Sequence, residues 1–358
     1  MLQDDLKYWV ALSQNLKIGP RTFQKLHKIF PDFRQLWTGS FADFASKRLP
    51  EQLFILVDET RKKVNPEKEM DKLKKLAINT VTIKDKAYPE QLKEIADPPA
   101  VLYWRGNLAD IQPSVSVVGT RKFTAYGQRA TEYLVEPLAK AGLTICSGLA
   151  LGIDSLAHQA ALQASGRTIA VLGSGLDRIY PTNNRALADK ILQKNGAIVS
   201  EYPLGTPPFR SNFPMRNRIV AGLSLGTLVI EAALQSGALI TAACALDYNR
   251  QVFALPGSIY SDQSAGTNNL IKLGAKPVTQ AEDILEEMNI VLDNRGKKDY
   301  VFASPQEEMI AKYLANPCDV DKLAKATKLD IATVNATLTL MEIAGSVRNL
   351  GSGRYVLR

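Results

Sequence analysis

The feature that most constrains this chain is a repeated unit between residues 115 and 288: an apolar run, a turn and a helical pattern. The runs are continuous rather than alternating, which is typical of parallel strands buried on both faces. Repeated strand–helix units predict an α/β fold with a Rossmann-like, doubly wound and mostly parallel sheet. The six runs are Val115–Val118, Leu143–Cys146, Thr168–Leu172, Gly196–Ser200, Thr227–Ile230 and Gln251–Leu255.

The segments on either side of this core have a different character. Residues 1–75 read as short helices, with a hairpin at Gly19-Pro20, and predict a helical (SAM-like) domain. Residues 301–358 predict three helices and then two short strands around a glycine turn, which is the winged-helix arrangement. We therefore predict domains at 1–75, 76–292 and 301–358, with a linker at 293–300.

Composition limits the classes of protein that are possible. With 46% hydrophobic and 22% charged residues the chain is typical of a globular protein, and no apolar run approaches the roughly 18 residues of a membrane span. The start of the chain does not resemble a signal peptide, so a cytoplasmic protein without membrane association is expected. The three cysteines are far apart, which predicts neither a disulfide framework nor a zinc site.

The positive charge is concentrated in the predicted core. The whole chain has a net charge of +8, and residues 111–280 alone carry 15 basic and 9 acidic side chains. A basic excess of this size is compatible with a polyanionic partner, although by itself it is weak support for one.

The glycine-rich strand ends are suited to binding phosphate. In an open α/β sheet the ligand lies beyond the carboxyl ends of the strands, and Gly173-Ser174-Gly175 would let the backbone approach it closely. The dinucleotide fingerprint is incomplete, because Arg178 stands at the third glycine position and Ser147-Gly148 replaces the ribose-binding acid. No GxxxxGK[ST] motif is present either. The sequence therefore predicts no nucleotide cofactor and no nucleotide triphosphate hydrolysis.

Basic and aromatic residues near these turns favour a phosphate chain as the ligand. Arginine contacts phosphate in an oriented, bidentate way, and aromatic faces stack nucleobases in basic grooves. Two alternatives stay open: the aromatics belong to the core, or Arg216 and Arg218 form structural ion pairs with Glu231 or Glu201. The residues concerned are Arg121, Lys122, Arg178, Arg185, Arg216 and Arg218, with Phe123, Tyr180 and Phe213.

Catalytic and metal-binding patterns are poor. Of the two histidines, His158 lies within a predicted helix, and no serine at a strand end has an evident His/Asp partner. No cluster of acidic residues and histidines has the spacing of metal ligands. Asp154, Asp177 and Glu231 lie near strand ends. Each could act in acid–base chemistry, and each could equally cap a helix or pair with an arginine. We expect no enzyme activity, no catalytic residues and no metal.

Eight motifs in the same order resemble the DNA-processing protein A (DprA/Smf) family. They span about 160 residues, so the resemblance is specific, and the flanking domains extend it to nearly the whole chain. The motifs begin at Val118-Gly119-Thr120-Arg121, Ser147-Gly148, Gly173-Ser174-Gly175, Ser200-Glu201, Asn212-Phe213-Pro214, Ser236-Gly237, Val252-Phe253-Ala254 and Gly266-Thr267-Asn268.

The resemblance implies a bacterial protein that binds and protects single-stranded DNA in natural transformation and helps to load the RecA recombinase. It also implies a homodimer joined through the Rossmann-like core, with DNA in a basic pocket at the strand ends. The DNA-binding positions that follow are Gly119, Thr120, Arg121, Lys122, Ser147, Gly148, Gly173, Ser174, Gly175, Tyr180, Asn184, Arg185, Phe213, Arg216, Asn217, Arg218, Ser236 and Gly237.

Two departures from the family pattern, and the low charge of the winged-helix segment, weaken particular contacts. Thr182 stands where some relatives have a lysine, and the Gly19-Pro20 hairpin lacks the usual glycine pair of a helix-hairpin-helix motif. The winged-helix segment carries 7 basic and 6 acidic residues, so its charge gives little support for strong DNA binding. Duplex contacts or a partner protein are the alternatives for that domain.

Two other functions remain as alternatives. Gly226-Thr227-Leu228 with Glu231 resembles the signature of nucleoside-monophosphate phosphoribohydrolases, but the accompanying Pro-Gly-Gly is missing. Three dissimilar domains on one chain are also compatible with a scaffold whose DNA binding is incidental.

Overall fold

The structure, a computed structural model, describes residues 3–290, 302, 304–314, 318–344, 346–349 and 353–357. It divides into two compact units, Met1–Leu292 and Asp293–Arg358. The predicted linker at 293–300 lies outside the described residues.

The first unit is built on a nine-stranded sheet in the order β1-β2-β6-β5-β4-β3-β7-β8-β9. The seven strands β3 to β9 are parallel to one another, while β1 and β2 form an antiparallel edge beside β6. The predicted Rossmann-like, mostly parallel sheet is therefore confirmed. The strands are β1 Asn79–Thr82, β2 Val101–Gly106, β3 Ser114–Val118, β4 Thr144–Ser147, β5 Thr168–Val171, β6 Ala197–Ser200, β7 Gly226–Val229, β8 Gln251–Ala254 and β9 Lys276–Pro277.

The helices of this unit comprise an N-terminal group and a group that covers the sheet. The N-terminal helices are α1 Gln3–Ser13, α2 Pro20–Ile29, α3 Phe33–Thr38, α4 Phe41–Ser46, α5 Glu51–Lys63 and α6 Pro66–Lys75. The others are α7 Glu90–Lys93, α8 Ala125–Lys140, α9 Ile153–Gln163, α10 Arg185–Gln193 (after a 3-10 turn, Thr182–Asn184), α11 Asn212–Gly222, α12 Ala238–Asp247, α13 Asp262–Lys272 and α14 Glu282–Glu287.

Alternate residues of each strand pack on opposite faces of the sheet, which explains the continuous apolar runs. On one face Val115, Val117 and Ile145 join the cluster that contains α8 and α9. On the other face Val118 and Cys146 join the cluster that contains α11 and α12. Both faces of the parallel strands are therefore buried.

Strand order places a switch point between β3 and β7. From β3 the chain adds β4, β5 and β6 on one side, and it then returns to add β7, β8 and β9 on the other side. At such a point the loops that follow neighbouring strands diverge and leave a crevice at the carboxyl edge of the sheet.

The N-terminal helices share a hydrophobic cluster with the sheet. Trp9 of α1 is fully buried and stacks on Phe33 with 3.8 Å between ring centroids. The same cluster contains Tyr103 of β2 and Ile198 of β6, and Tyr103 Oη lies 2.6 Å from Ser13 Oγ. The domain boundary that we predict at residues 75 and 76 therefore falls within one continuous apolar core.

The second unit has the winged-helix arrangement, as predicted. Its elements are α15 Pro305–Ala311, β10 Cys318–Asp319, α16 Val320–Thr327, α17 Ile331–Ile343, β11 Val347–Asn349 and β12 Arg354–Leu357. The three strands form an antiparallel sheet, and Leu323, Val334 and Leu338 lie in a separate hydrophobic core. Among the described residues, no helix is both long and apolar enough to cross a membrane.

Because the N-terminal helices and the sheet share a core, we expect Leu12→Ala to destabilise the whole first unit. Leu12 is fully buried in the shared cluster, so its truncation should cost about 2–5 kcal/mol. Urea denaturation followed by circular dichroism and by tryptophan fluorescence measures this, with Leu76→Ala as a control because Leu76 is 45% exposed. A shift in the fluorescence transition alone would contradict a shared core.

Candidate nucleic-acid interface

A groove of about 860 Å³ lies at the switch point, where β3, β4 and β7 end. We call it the switch groove. It is lined by Val118, Gly119, Thr120, Arg121, Lys122, Gly148, Ala150, Asp154, Tyr180, Pro208, Arg210, Phe213, Pro214, Arg216, Asn217, Val220, Ala233, Gln235, Ser236, Gly237, Ala238, Ile240, Thr241 and Gln263.

Glu231 holds the loop that brings Arg121 and Lys122 to the groove. Its carboxylate accepts hydrogen bonds from Thr124 N at 2.9 Å and from Thr124 Oγ1 at 2.6 Å. Its backbone oxygen accepts one from Thr120 N at 2.7 Å. A Cβ on Gly127 would lie 2.2 Å from this carboxylate, so glycine is required there. Glu231 is therefore engaged in fixing the β3–α8 loop and in supporting the start of α8.

The loops after β3 and β4 approach each other closely at a second glycine. Gly152 has φ +91°, and a Cβ there would lie 2.4 Å from the Thr120 oxygen. Only glycine adopts this backbone conformation without strain and leaves room for the neighbouring loop. The contact places Arg121 beside the start of α9.

Arg216 is a buried cation in the floor of the groove. It is 4% exposed and donates hydrogen bonds to the backbone oxygens of Gly148 and Val171. The Asp154 carboxylate accepts hydrogen bonds from Gly148 N at 3.1 Å and Ala150 N at 3.4 Å. Burial raises the pKa of Asp154, and the charge of Arg216 opposes that shift. A Cβ on Gly148 would lie 2.4 Å from the guanidinium, so Gly148 makes the space for Arg216.

An aromatic pair and a cation form one wall. The rings of Tyr180 and Phe213 lie 5.7 Å apart between centroids, and the Arg121 guanidinium carbon lies 5.9 Å from the centroid of Phe213. Tyr180 is 45% exposed, and its ring is accessible to a ligand. A Cβ on Gly173 would lie 3.1 Å from the ring of Phe213, so the glycine turn after β5 supports this wall from behind.

The start of α12 provides backbone N–H groups. Ser236, Gly237 and Ala238 line the groove at the N-terminus of this helix. Backbone N–H groups at a helix N-terminus and the positive end of the helix dipole favour an anion. This end of α12 and the nearby arginines therefore both favour an anionic ligand.

Eleven of the eighteen predicted site residues line the switch groove. They are Gly119, Thr120, Arg121, Lys122, Gly148, Tyr180, Phe213, Arg216, Asn217, Ser236 and Gly237. Seven do not line it: Ser147, Gly173, Ser174, Gly175, Asn184, Arg185 and Arg218.

Most of these seven have packing roles in the structure. Ser147 Oγ donates to the Val117 oxygen at 2.7 Å, and Asn184 Nδ2 donates to the Leu149 oxygen at 2.8 Å. Ser174 Oγ donates to the Arg178 oxygen at 3.0 Å. Arg218 is 4% exposed and pairs with Glu201, which is one of the two partners considered for it above. Arg185 is exposed at the start of α10. DNA contact by these residues stays a prediction.

Sequence reasoning missed Arg210 and Gln235. Arg210 is exposed in the loop before α11, three residues before Phe213, and it lines the groove. Arg210 belongs to neither a strand end nor a periodic pattern, while Gln235 lies in the loop after β7, directly before Ser236. The available signal was the closeness of Arg210 to the Phe213 motif in sequence.

His158 and Asp177, which were considered as catalytic groups, form hydrogen bonds within the protein. His158 is fully buried, and its Nδ1 lies 2.6 Å from Thr168 Oγ1, which itself donates to the Ile145 oxygen. Burial lowers the pKa of His158 to about 3, which makes it a weak base. Asp177 Oδ1 accepts a hydrogen bond from Gly205 N at 3.0 Å. Within the described ranges, no group of three or more His, Cys, Asp or Glu residues could hold a metal ion.

Two family models match the chain. The model described as "DNA recombination-mediator protein A" matches residues 79–289, and the model described as "DprA winged helix domain" matches residues 303–353. The chain is 44% identical to Protein Smf of Escherichia coli strain K12 over an alignment of 281 positions that covers 76% of this chain and 75% of that protein. It is 35% identical to Protein Smf of Synechocystis sp. over a gapped alignment of 404 positions that covers 100% of both chains.

Solved structures give the same likeness. The crystal structure of DNA processing protein A (DprA) from Streptococcus pneumoniae matches with a TM-score of 0.66 and 36% identity, covering 79% of this chain and 96% of that chain. DNA processing protein A from Helicobacter pylori, whose structure is described for its single-stranded DNA binding mode, matches with a TM-score of 0.54 and 34% identity. That match covers 59% of this chain and 95% of the other.

Burial of neutral His158 should make stability depend on pH. Its folded-state pKa of about 3 lies below the ordinary value of 6.5, so unfolding takes up a proton as the pH falls below about 6.5. The contribution of neutral His158 to stability is fully present above pH 6.5 and is lost progressively as the pH falls below that value, by roughly 1 kcal/mol per pH unit. Urea denaturation of the natural protein and of His158→Gln between pH 7 and 4 measures this. Parallel stability curves for the two proteins would contradict it.

Proposed function

Because this chain belongs to the DprA/Smf family of DNA recombination-mediator proteins, we propose that it binds single-stranded DNA in the switch groove. The observation that carries the proposal is the wall in which Arg121, Phe213 and Tyr180 lie together beside the N-terminus of α12. Such a site offers groups for both parts of a nucleotide chain: cations and helix N–H groups for phosphate, and aromatic rings for bases.

The charge of the groove supports a polyanion. Four basic side chains line it, Arg121, Lys122, Arg210 and Arg216, against one acidic residue, Asp154. Arg121, Lys122 and Arg210 are exposed, and they therefore carry most of the phosphate contacts in this proposal. Buried Arg216 shapes the floor, and its guanidinium is already bonded to two backbone oxygens.

The aromatic wall supports a single strand over a duplex. Base stacking on an aromatic ring requires an unpaired, accessible base face, and it tolerates any base because each has a π-face. Phe213 and Tyr180 lie next to the exposed basic side chains, so one strand would contact both. The relative from Helicobacter pylori that shares this fold is described by its single-stranded DNA binding.

We propose a non-catalytic role for this site. Glu231, the residue on which the phosphoribohydrolase alternative depends, has its carboxylate bonded to Thr124 N and Oγ1. A carboxylate held in this way fixes a loop and is not directed at a ligand. The proposed activity needs neither a nucleotide cofactor nor a metal.

The wider role that we propose follows from family membership. It is protection of incoming single strands in natural transformation and help in loading RecA, by a cytoplasmic homodimer joined through the Rossmann-like core. The switch groove would hold the strand, and RecA would take it over from there.

The groove arginines should set both the affinity for DNA and its salt dependence. Each phosphate contact contributes about 0.7 to the slope of log affinity against log salt for single strands. We expect Arg121→Ala and Arg210→Ala each to lower the slope by about this amount and to weaken binding. Fluorescence anisotropy of a labelled oligothymidylate at several salt concentrations measures both. Arg129→Ala is the matched control, since Arg129 is exposed on α8 and does not line the groove. An unchanged affinity and slope in both groove variants would contradict the site.

The role in RecA loading has its own test. The natural protein should accelerate RecA-dependent pairing of a single strand with a homologous duplex, because it delivers the strand from the groove. The Arg121→Ala, Arg210→Ala double variant should lose most of this stimulation, while Arg129→Ala should keep it. Full stimulation by the double variant would show that loading does not depend on the groove.

A further inference from the structure

A second recess lies beside the switch groove, between the N-terminal helices and the sheet. It has a volume of about 270 Å³, and the Gly19-Pro20 hairpin forms part of its wall. We call it the hairpin recess. Its lining includes Leu16, Phe23, Glu201, Tyr202, Met215 and Arg218.

Helix α11 separates the recess from the groove. Phe213, Arg216, Asn217 and Val220 line the groove, and this spacing places them on one face of the helix. Asn212, Met215 and Arg218 of α11 line the recess from another face. The loop before α11 is shared in the same way, since Arg210 lines the groove and Ser211 lines the recess. The groove and the recess therefore lie on the two sides of consecutive residues of one loop.

The lining of the recess is apolar at the rim and polar at the base. Leu16 and Met215 are 51% and 50% exposed, while the aromatic residues Tyr202 and Phe23 are 9% and 3% exposed. A recess of this size falls just below the range of about 300–1,000 Å³ typical of drug-sized ligands, which suits a group as small as one nucleobase. Aliphatic and aromatic side chains suit the flat faces of a base.

The polar base of the recess offers a buried hydrogen-bond donor. Arg218 pairs with Glu201, and its Nε lies 3.6 Å from Asp97 Oδ2. Within the described part of the chain, that buried Nε has no hydrogen-bond partner. The other polar groups at this end are already paired, since Glu201 accepts a hydrogen bond from Arg218 and Asn212 Nδ2 donates to the backbone oxygens of Gly173 and Pro207. Base edges carry acceptor atoms that suit the Nε–H of Arg218, whereas an aliphatic side chain would leave this donor unpaired.

We infer that the hairpin recess is a nucleobase slot for the same single strand that occupies the switch groove. This inference rests on the proposed function and extends it, because it gives the N-terminal hairpin a part in DNA binding. The hairpin contributes apolar side chains to the slot. This differs from a helix-hairpin-helix motif, in which the backbone N–H groups of the hairpin hold a phosphate.

A length series of oligothymidylates tests the slot. Strands from about 4 to about 16 nucleotides should bind the natural protein, with a gain in affinity once the strand is long enough to pass Arg210. The Leu16→Ser, Met215→Ser double variant should lose about fivefold in affinity for the longer strands and nothing for the shortest. Leu76→Ser is the matched control, since Leu76 is an exposed leucine of the N-terminal helices outside the recess.

Photocrosslinking of the natural protein gives a second measurement that does not depend on a variant. Long oligonucleotides with one 5-iododeoxyuridine at successive positions should crosslink to Tyr202 or Met215 from one position and to Phe213 or Tyr180 from another. Crosslinks to the groove residues alone would overturn the slot and leave the proposed function standing. So would an equal loss of affinity at all lengths in the double variant.

Two further outcomes separate the remaining possibilities. If the double variant binds every length normally but loses stimulation of RecA-dependent pairing, the recess holds a protein group and the slot is overturned. If the natural protein binds no oligonucleotide of any length, the proposed function itself fails and the slot fails with it.

Discussion

The arrangement of the switch groove depends on one buried cation, Arg216. Its guanidinium donates to the backbone oxygens of Gly148, directly after β4, and of Val171, the last residue of β5, so it ties the carboxyl ends of two neighbouring strands to α11. A buried charge is costly unless it is hydrogen-bonded and balanced, and Asp154 provides the opposite charge from the start of α9. Gly148 leaves the space that the guanidinium occupies. The hydrogen bonds of Arg216 are therefore made within the protein, and the exposed basic residues around it are the ones free to contact a ligand.

The sheet could be predicted from the sequence because its signal is local. Apolar runs such as Val115–Val118 are continuous, since both faces of a parallel strand are covered by helices. The strand ends also indicated the position of the groove, because parallel strands place their carboxyl ends at one edge. Residues such as Gly119, Arg121 and Gly148 line the groove for this reason, whereas Phe213, Arg216 and Asn217 lie on α11 and follow from the family resemblance.

The remaining details depend on burial, which the sequence does not show. Arg216 and Arg218 look alike in the sequence, yet Arg218 pairs with Glu201 away from the groove. Phosphate contact by Gly173 stays a prediction, and the structure adds that its lack of a side chain makes room for the ring of Phe213. Arg210 was missed because a loop residue carries no periodic pattern.

The central claim is that one strand of DNA lies along the switch groove with its phosphates at the exposed arginines. A crystal structure with a short oligothymidylate tests it most directly. The account predicts phosphate oxygens within hydrogen-bond distance of Arg121 and Arg210, an anion at the N-terminus of α12, and a base stacked on Phe213 or Tyr180. A strand bound elsewhere on the protein, with the groove empty, would contradict it.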